Sequence, residues 1–548
     1  MGSGKKYRKA VKYTAAVLVM VLMVLVSITL AAGRENAFKT NKKPEPLKRV
    51  SVHDPSIIKA KNGEYYIFGS HLAGAKSKNL MDWESLGKDY ENVTDNWLFG
   101  NIKENLAESF RWAGYDDGDC AGGKYAVWAP DVIWNPYYNN GGGTKGAYMI
   151  YYSASSTWRR SCIGYAVSQD IEGPYTYVGT VVYSGFTKNG KPDGNSQRNT
   201  RWDTDAIHIK KLIDSGRLKN GIRAKWFTGE EWNHNNCPNA IDPTLFFDAQ
   251  GQRLYMVYGS WSGGIYLLEL DRETGDAKYP GTDSVDKISG NYVDRYFGIH
   301  LAGGNHQSGE GPYIVYDDEA GYYYLYETYG ALTANGGYNM RMFRSKEVTG
   351  PYLDAAGNNA ADSYRNNDQY GVKLIGNYKL AGTNTGYKAA GHNSAFIDED
   401  GQHYLIYHQR FDQGTEYHEV RVHQQFLNQK GWPVIAVYEN RNEKAGHYPD
   451  NDITGTYEFI NHGLDTSTGM ISPESITLLA NGKIGGDREG TWKKIKGDRY
   501  DYVTINMEGA EYHGVFYRQL NEKTGTEQVM TFTAIGDNNM CIWGTREK

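Results

Sequence analysis

Between about residues 50 and 445 the apolar residues fall in short runs, many with every second position polar, and almost none at amphipathic-helix spacing. Gly, Asn and Asp punctuate the runs, which predicts strands joined by tight turns. The runs also repeat imperfectly. H-D-P-S-I-I-K-A-K-N-G-E-Y-Y-I-F starts at His53, and W-A-P-D-V-I-W-N starts at Trp128 and leads into Y-M-I-Y-Y-S-A-S. A-I-D-P-T-L-F-F-D-A-Q-G-Q-R-L-Y-M-V-Y starts at Ala240, G-E-G-P-Y-I-V-Y-D-D-E-A-G-Y-Y-Y-L-Y at Gly309, and G-H-N-S-A-F-I-D-E-D-G-Q-H-Y-L-I-Y at Gly391. Each segment predicts a β-hairpin. Five hairpins over about 400 residues leave chain for two outer strands apiece, and blades repeated radially protect their edges. The expectation is an all-β chain whose residues 49–445 form a five-bladed β-propeller.

The pattern changes near residue 446. D-I-T-G-T-Y-E-F-I-N-H-G, S-I-T-L-L-A-N-G-K-I-G-G and Y-D-Y-V-T-I-N-M-E are short alternating strands with Asn-Gly and Gly-Gly turns. Residues 446–548 are therefore expected to form a small β-barrel or β-sandwich, more a brace than a glycan-binding module. At the other end, Lys5, Lys6, Arg8, Lys9 and Lys12 precede an apolar run from Thr14 to Ala32. This reads as an export signal over residues 1–33, or as a membrane anchor if it is not cleaved. No cysteine follows the run, which excludes a lipoprotein, and the polar, proline-bearing residues 34–48 read as a linker.

In every repeat a polar residue stands at the start of the first strand: Asp54, Asp131, Asp242, Glu310 and Asn393. In a propeller those strand starts line the central channel, so residues remote in sequence would converge. An Asp before Pro often merely caps a turn, but five polar residues in phase, four of them acids, favour a shared site. Hydrolysis of a glycosidic bond needs one protonated carboxyl to deliver a proton to the leaving oxygen and one carboxylate to activate water or attack carbon. Glu310 lies in S-G-E-G-P, where flanking glycines would let a substrate approach. Asp54 and Asp242 precede Pro, which stiffens their backbones. These residues alone do not rank the roles.

Composition narrows the classes. The chain has 45 Tyr against 16 Phe, with 13 Trp, which suits β-sheets and sugar stacking. A net charge of −5 without a basic patch argues against nucleic acid as partner. Cys120, Cys162, Cys237 and Cys541 have no zinc spacing and allow one disulfide at most.

H-D-P-S, W-A-P-D-V, A-I-D-P-T, S-G-E-G-P-Y and A-G-H-N-S, in that order, resemble glycoside hydrolase family 43. Within it they are most similar to the extracellular endo-1,5-α-L-arabinanases that carry an added C-terminal β-domain. The resemblance spans residues 46–548. It implies a secreted, inverting hydrolase that cleaves internal α-1,5-L-arabinofuranosidic linkages, with Asp54 as general base, Glu310 as general acid, and Asp242 raising the pKa of the acid and orienting it. It further implies calcium near the cavity floor with His392 at the matching position, and no organic cofactor. Asn239 and Ser260 resemble sugar-contacting positions; His53 is read as lining the cavity and Trp128 as a stacking face. Asp131 is read as structural. The segments Asp95–Tyr125 and Gly185–Pro238 are expected to shape the cleft as long loops over one face. The implied partner is plant cell-wall arabinan, acted on by a monomer. Two alternatives stand beside this reading: an exo-acting α-L-arabinofuranosidase or β-xylosidase with the same acids, and a non-catalytic glycan-binding surface propeller. The W-M-N-D-P-N-G motif of retaining fructan-cutting propellers is missing.

Overall fold

Five antiparallel sheets succeed one another along the chain, each wound outward from a strand at the centre of the molecule. The computed structural model describes residues 46–87, 92–157, 159–190 and 198–547. The signal or anchor expected over residues 1–33, and most of the linker, lie outside them. The innermost strands are Ser56–Lys59, Val127–Asn139, Thr244–Phe247, Glu310–Asp317 and Tyr387–Ile397. Each touches the innermost strand of the next blade, and the fifth touches the first, so the ring is closed. The N-terminal segment joins the ends: the Trp83 N–H donates to the Lys48 carbonyl and the Val420 N–H to that of Val50. The Arg49 guanidinium donates to Glu439 at 2.8 Å.

Blades 1, 2, 4 and 5 have four strands, whereas blade 3 has six, because a hairpin at 284–294 is added at its outer edge. That differs from four strands throughout. Strands such as Leu254–Tyr258 and His403–Phe411 are buried along their whole length, since a blade is covered on both faces by its neighbours. Aromatic and β-branched residues suit that position.

The repeat has a sharper register than its polar residues suggest. Asp54, Ala129, Asp242, Gly311 and His392 all have positive φ, between 37° and 57°, and all but His392 stand directly before a proline. These five are the equivalent positions. Glu310 lies one residue earlier, Asn393 one later and Asp131 two later, so they are not in one phase as expected. The offset has a structural outcome. At the Asp131 level the blades are stapled together: Ser394 Oγ donates to the Pro55 carbonyl (2.7 Å), Ser56 Oγ to Asp131, the Leu245 N–H to Asp131 Oδ2 (2.6 Å), and Thr244 Oγ1 to the Pro312 carbonyl (2.6 Å).

Asp95–Tyr125 folds in part as two short helices, Ile102–Asn105 and Ala107–Ala113, the second packed on blade 2 through Phe110 and Trp112. All four cysteines are buried and free. Eight strands from Gly455–Asn461 to Cys541–Arg546 then form a closed barrel, its first strand paired with its last. Tyr457, Phe459, Ile476, Val503, Phe516 and Phe532 share its apolar core. Part of its wall, including Ile460, Val515, Tyr517 and Trp543, joins a second core with Tyr324, Met340 and Leu405 of blades 4 and 5.

Candidate active site

Three carboxyls from three blades meet at the axis, and each is treated differently by its surroundings. Asp54 ends the turn into the first blade in a left-handed conformation, which points its side chain into the ring rather than along the strand. Its carboxylate accepts from Ser70 Oγ at 2.5 Å and lies 2.8 Å from His53 Nδ1 and 3.0 Å from His392 Nδ1. Arg410 donates to His53 Nε2 at 3.3 Å, which leaves the His53 proton on Nδ1, facing Asp54. Burial disfavours the Asp54 charge, but the imidazoles of His392, His53 and His408 outweigh it and hold the carboxyl well below its ordinary range. This group is built to be ionised.

His408 completes the surround. Its Nδ1 accepts the Asp54 N–H at 3.4 Å and its ring stacks on His53 at 4.1 Å. Burial, reinforced by His53, pushes its pKa well down, so the imidazole is neutral. Its Nε2 is buried with no partner among the described residues.

Asp242 is the opposite case. Its N–H donates to Ser153 Oγ at 3.0 Å, and its Oδ2 accepts the Gly311 N–H at 3.1 Å. Burial first, then the carboxylates of Glu310 and Asp54, push its pKa well above the ordinary range. The Asp242 carboxyl is therefore favoured in its protonated form. Glu310 is half-buried, and both of its oxygens are held: Oε1 accepts from the Tyr338 hydroxyl at 2.6 Å, and Oε2 from Trp261 Nε1 at 2.8 Å. Ser260 Oγ is 3.4 Å from the same Oε2.

The glycine after the acid has a different reason from the one expected. A Cβ on Gly311 would stand 2.8 Å from the His392 imidazole, so the missing side chain admits that ring rather than a substrate. Among the other expected residues, Trp128 borders the channel with its ring 4.3 Å from His71 and its Nε1 on the Ser155 carbonyl. Asn239 is buried, its Oδ1 unpartnered among the described residues. His53 contacts the Asp54 carboxylate directly rather than only lining the cavity. Asp131 sits behind the site, its pKa pushed up to about 7 by burial.

Tyr338, Trp261, Ser70, His408 and Arg410 were not singled out in the sequence. They lie at the ends of second and third strands, where the repeat is weak. The Gly-Ser pair shared by F-G-S-H and Y-G-S-W, which gives Ser70 and Ser260, was the available signal. Together the site offers an ionised carboxylate, a protonated carboxyl and a third, firmly held carboxyl, which is a set that acid–base hydrolysis of an acetal can use.

A sequence model described as "Glycosyl hydrolases family 43" matches residues 220–433, and one described as a C-terminal lipocalin-like domain matches 437–544. The chain is 39% identical over 513 residues to the extracellular endo-α-(1→5)-L-arabinanase 2 of Bacillus subtilis, covering 91% of this chain and 93% of that one. It superposes on the crystal structure of an endo-1,5-α-L-arabinanase from Thermotoga petrophila with a TM-score of 0.74 and 36% identity, over 92% of this chain and all of that one. An extracellular exo-α-(1→5)-L-arabinofuranosidase of Cellvibrio japonicus is 25% identical over 400 residues, 72% of this chain and 88% of that one.

Proposed function

The chain belongs to glycoside hydrolase family 43, and from that membership we propose that it cleaves internal α-1,5-L-arabinofuranosidic linkages of arabinan with inversion. The observation that carries the reading is the unequal treatment of three carboxyls at one axis: Asp54 stabilised as an anion, Asp242 favoured in its protonated form, and Glu310 held at both oxygens by Tyr338 and Trp261. Asp54 takes a proton from a water lying between it and the anomeric carbon. Glu310 delivers a proton to the leaving oxygen, and Asp242 orients the acid and, when ionised beside it, favours the proton residing on Glu310. In this reading Asn239 and Ser260 meet sugar hydroxyls and Trp128 a ring face.

The two relatives that are 39% and 38% identical over 93% of their length are named as endo-acting and extracellular. Those names support internal cleavage outside the cell; export directed by residues 1–33, plant cell-wall arabinan as substrate and a monomeric enzyme belong to the same proposal. Product sizing on linear debranched arabinan tests the mode of attack. Oligomers appearing first support it, whereas arabinose from the outset assigns the exo activity. Binding without cleavage assigns a glycan-binding propeller.

Calcium at the axis, with His392 as its protein ligand, belongs to the same proposal. The neighbouring donors are imidazoles and a single carboxylate; ligand atoms of His53, Asp54 and His408 lie within 4.8 Å of one another. That set is poor in oxygen for calcium, which would keep most of its ligands as water. Bound there, the ion would supply positive charge beside His392. Chelation should lower the melting temperature and calcium restore it; a melting curve indifferent to chelation removes the ion from the account.

A further inference from the structure

Tyr338 occupies a place the proposed reaction does not yet use. It is fully buried, and its hydroxyl donates to Glu310 Oε1 at 2.6 Å. One edge of its ring lies directly on Gly391, where any Cβ would collide with it. Its face stacks on His408 at 5.7 Å and 22°, the imidazole that accepts the Asp54 N–H. The phenol, from the same blade as the acid, is thus wedged against Gly391 and His408 of the next blade, between the acid and the ring that holds the base.

The segment that carries Tyr338 is fastened from outside the propeller. Residues 330–337 close on themselves, the Ala331 N–H donating to the Gly336 carbonyl at 2.8 Å. The next residue, Gly337, packs against the Thr466 carbonyl so closely that a Cβ would overlap it. Thr466 belongs to the barrel, in the 462–473 connection between its strands Gly455–Asn461 and Glu474–Leu478. That connection is tied to the propeller at several points. Thr466 Oγ1 donates to Asp368 Oδ1 at 2.8 Å, Asn377 Nδ2 to the Thr468 carbonyl at 3.2 Å, and the Ile471 N–H to the Asn377 carbonyl at 2.9 Å. Arg341, wholly buried, reaches the carbonyls of Leu464 and Asp465 with one nitrogen and Asn339 Oδ1 with another at 2.7 Å. Asn339 in turn donates to the Gly337 carbonyl at 2.8 Å.

We propose that Tyr338 is a positioning residue for the general acid and that the 462–473 connection of the barrel holds it in place, making the barrel part of the proton-delivery machinery. The inference rests on the functional reading above. Its physical basis is orientation: a half-buried carboxyl fixed by a hydroxyl keeps its proton aimed at the leaving oxygen, and misplacement by about 1 Å can cost on the order of 100-fold in rate. The contribution matters only when the leaving group needs a proton.

The test compares two substrates on the full-length enzyme. Linear arabinan has a leaving alkoxide that must be protonated; an aryl α-1,5-arabino-oligosaccharide releases a phenolate that does not. Tyr338→Phe keeps the ring and removes the hydroxyl. It is expected to lower kcat on arabinan roughly 10–100-fold with KM within about twofold, while activity on the aryl substrate falls less than about threefold. Replacement of Asp465–Thr468 by two glycines, and separately Gly337→Ala, should reproduce that split. Equal loss on both substrates, or no loss on either, for Tyr338→Phe overturns the positioning role. A split for Tyr338→Phe that neither of the other two variants shares overturns the role of the barrel. Wild-type protein that leaves arabinan uncut would instead refute the functional reading itself.

Discussion

Along the propeller axis, five innermost strands open on residues in left-handed conformation, three of them the side-chain-bearing polar residues Asp54, Asp242 and His392. In the barrel the non-glycine residues of that kind are Glu508 and Asn539, both in hairpin turns, among the described residues. The barrel closes its strands around Tyr457, Phe459, Phe516 and Phe532. Both regions are antiparallel strands wrapped about an axis. The propeller has such residues in outer turns too, as at Leu80 and Asn220, but it also places them at its axis, where they turn side chains toward one another; in the barrel those among the described residues only reverse the chain. Strain in a β-region is costly, on the order of 1–3 kcal/mol per residue, and persists where the surroundings over-determine it. The hydrogen-bonded staples through Ser56, Asp131, Thr244 and Ser394 supply that support.

If the contrast is real, the two regions should fail differently. Glu310→Gln and Asp54→Asn should each reduce turnover on linear arabinan by about 10³-fold or more with polymer binding retained, as read by product release and by affinity electrophoresis. Activity left intact in either would separate the axis from the chemistry. Phe532→Ala, at a fully buried barrel position, should cost about 3–5 kcal/mol in denaturant unfolding while the folded fraction keeps its turnover.

Finer changes sharpen the comparison. Ser70→Ala removes a donor from the Asp54 carboxylate and should lower kcat about five-fold. The lost donor favoured the anion, so the pKa of the base rises and the acidic limb of the rate profile moves to higher pH. Asp131 works through stability. Its folded pKa, about 7, lies above its ordinary value, so it binds a proton more tightly when folded. Its contribution is fully present at low pH and is lost as pH rises toward 7. Asp131→Asn should flatten that part of the melting-temperature profile. Arg488→Ala, which breaks surface pairs with Glu508 and Glu474 on the barrel, should change stability by no more than about 1 kcal/mol.

The repeat that revealed the propeller was legible because its landmarks are local. Pro55, Pro130, Pro243 and Pro312 each follow a kinked residue, and hairpins rich in Tyr and Ile follow them. Reading polar residues as the landmark blurred the register by up to two positions and placed Asp131 beside the acids when it lies one layer behind. The acids themselves were legible because Asp and Glu beside Pro and Gly are conspicuous. Tyr338 and Trp261 were not: each is one aromatic among many, and their meaning depends on which blade lies opposite. The docking of the barrel through Thr466 was hidden for a similar reason, since its contact at Gly337 is made by a backbone carbonyl, which carries no residue-type signal.

The claim that Asp54 and Glu310 act on one bond from opposite sides is tested most directly by the configuration of the freshly released sugar. Early-time proton NMR of arabino-oligosaccharide hydrolysis should show the β-anomer at the new reducing end before mutarotation. First appearance of the α-anomer would contradict a water activated by Asp54 across the cavity from its proton donor.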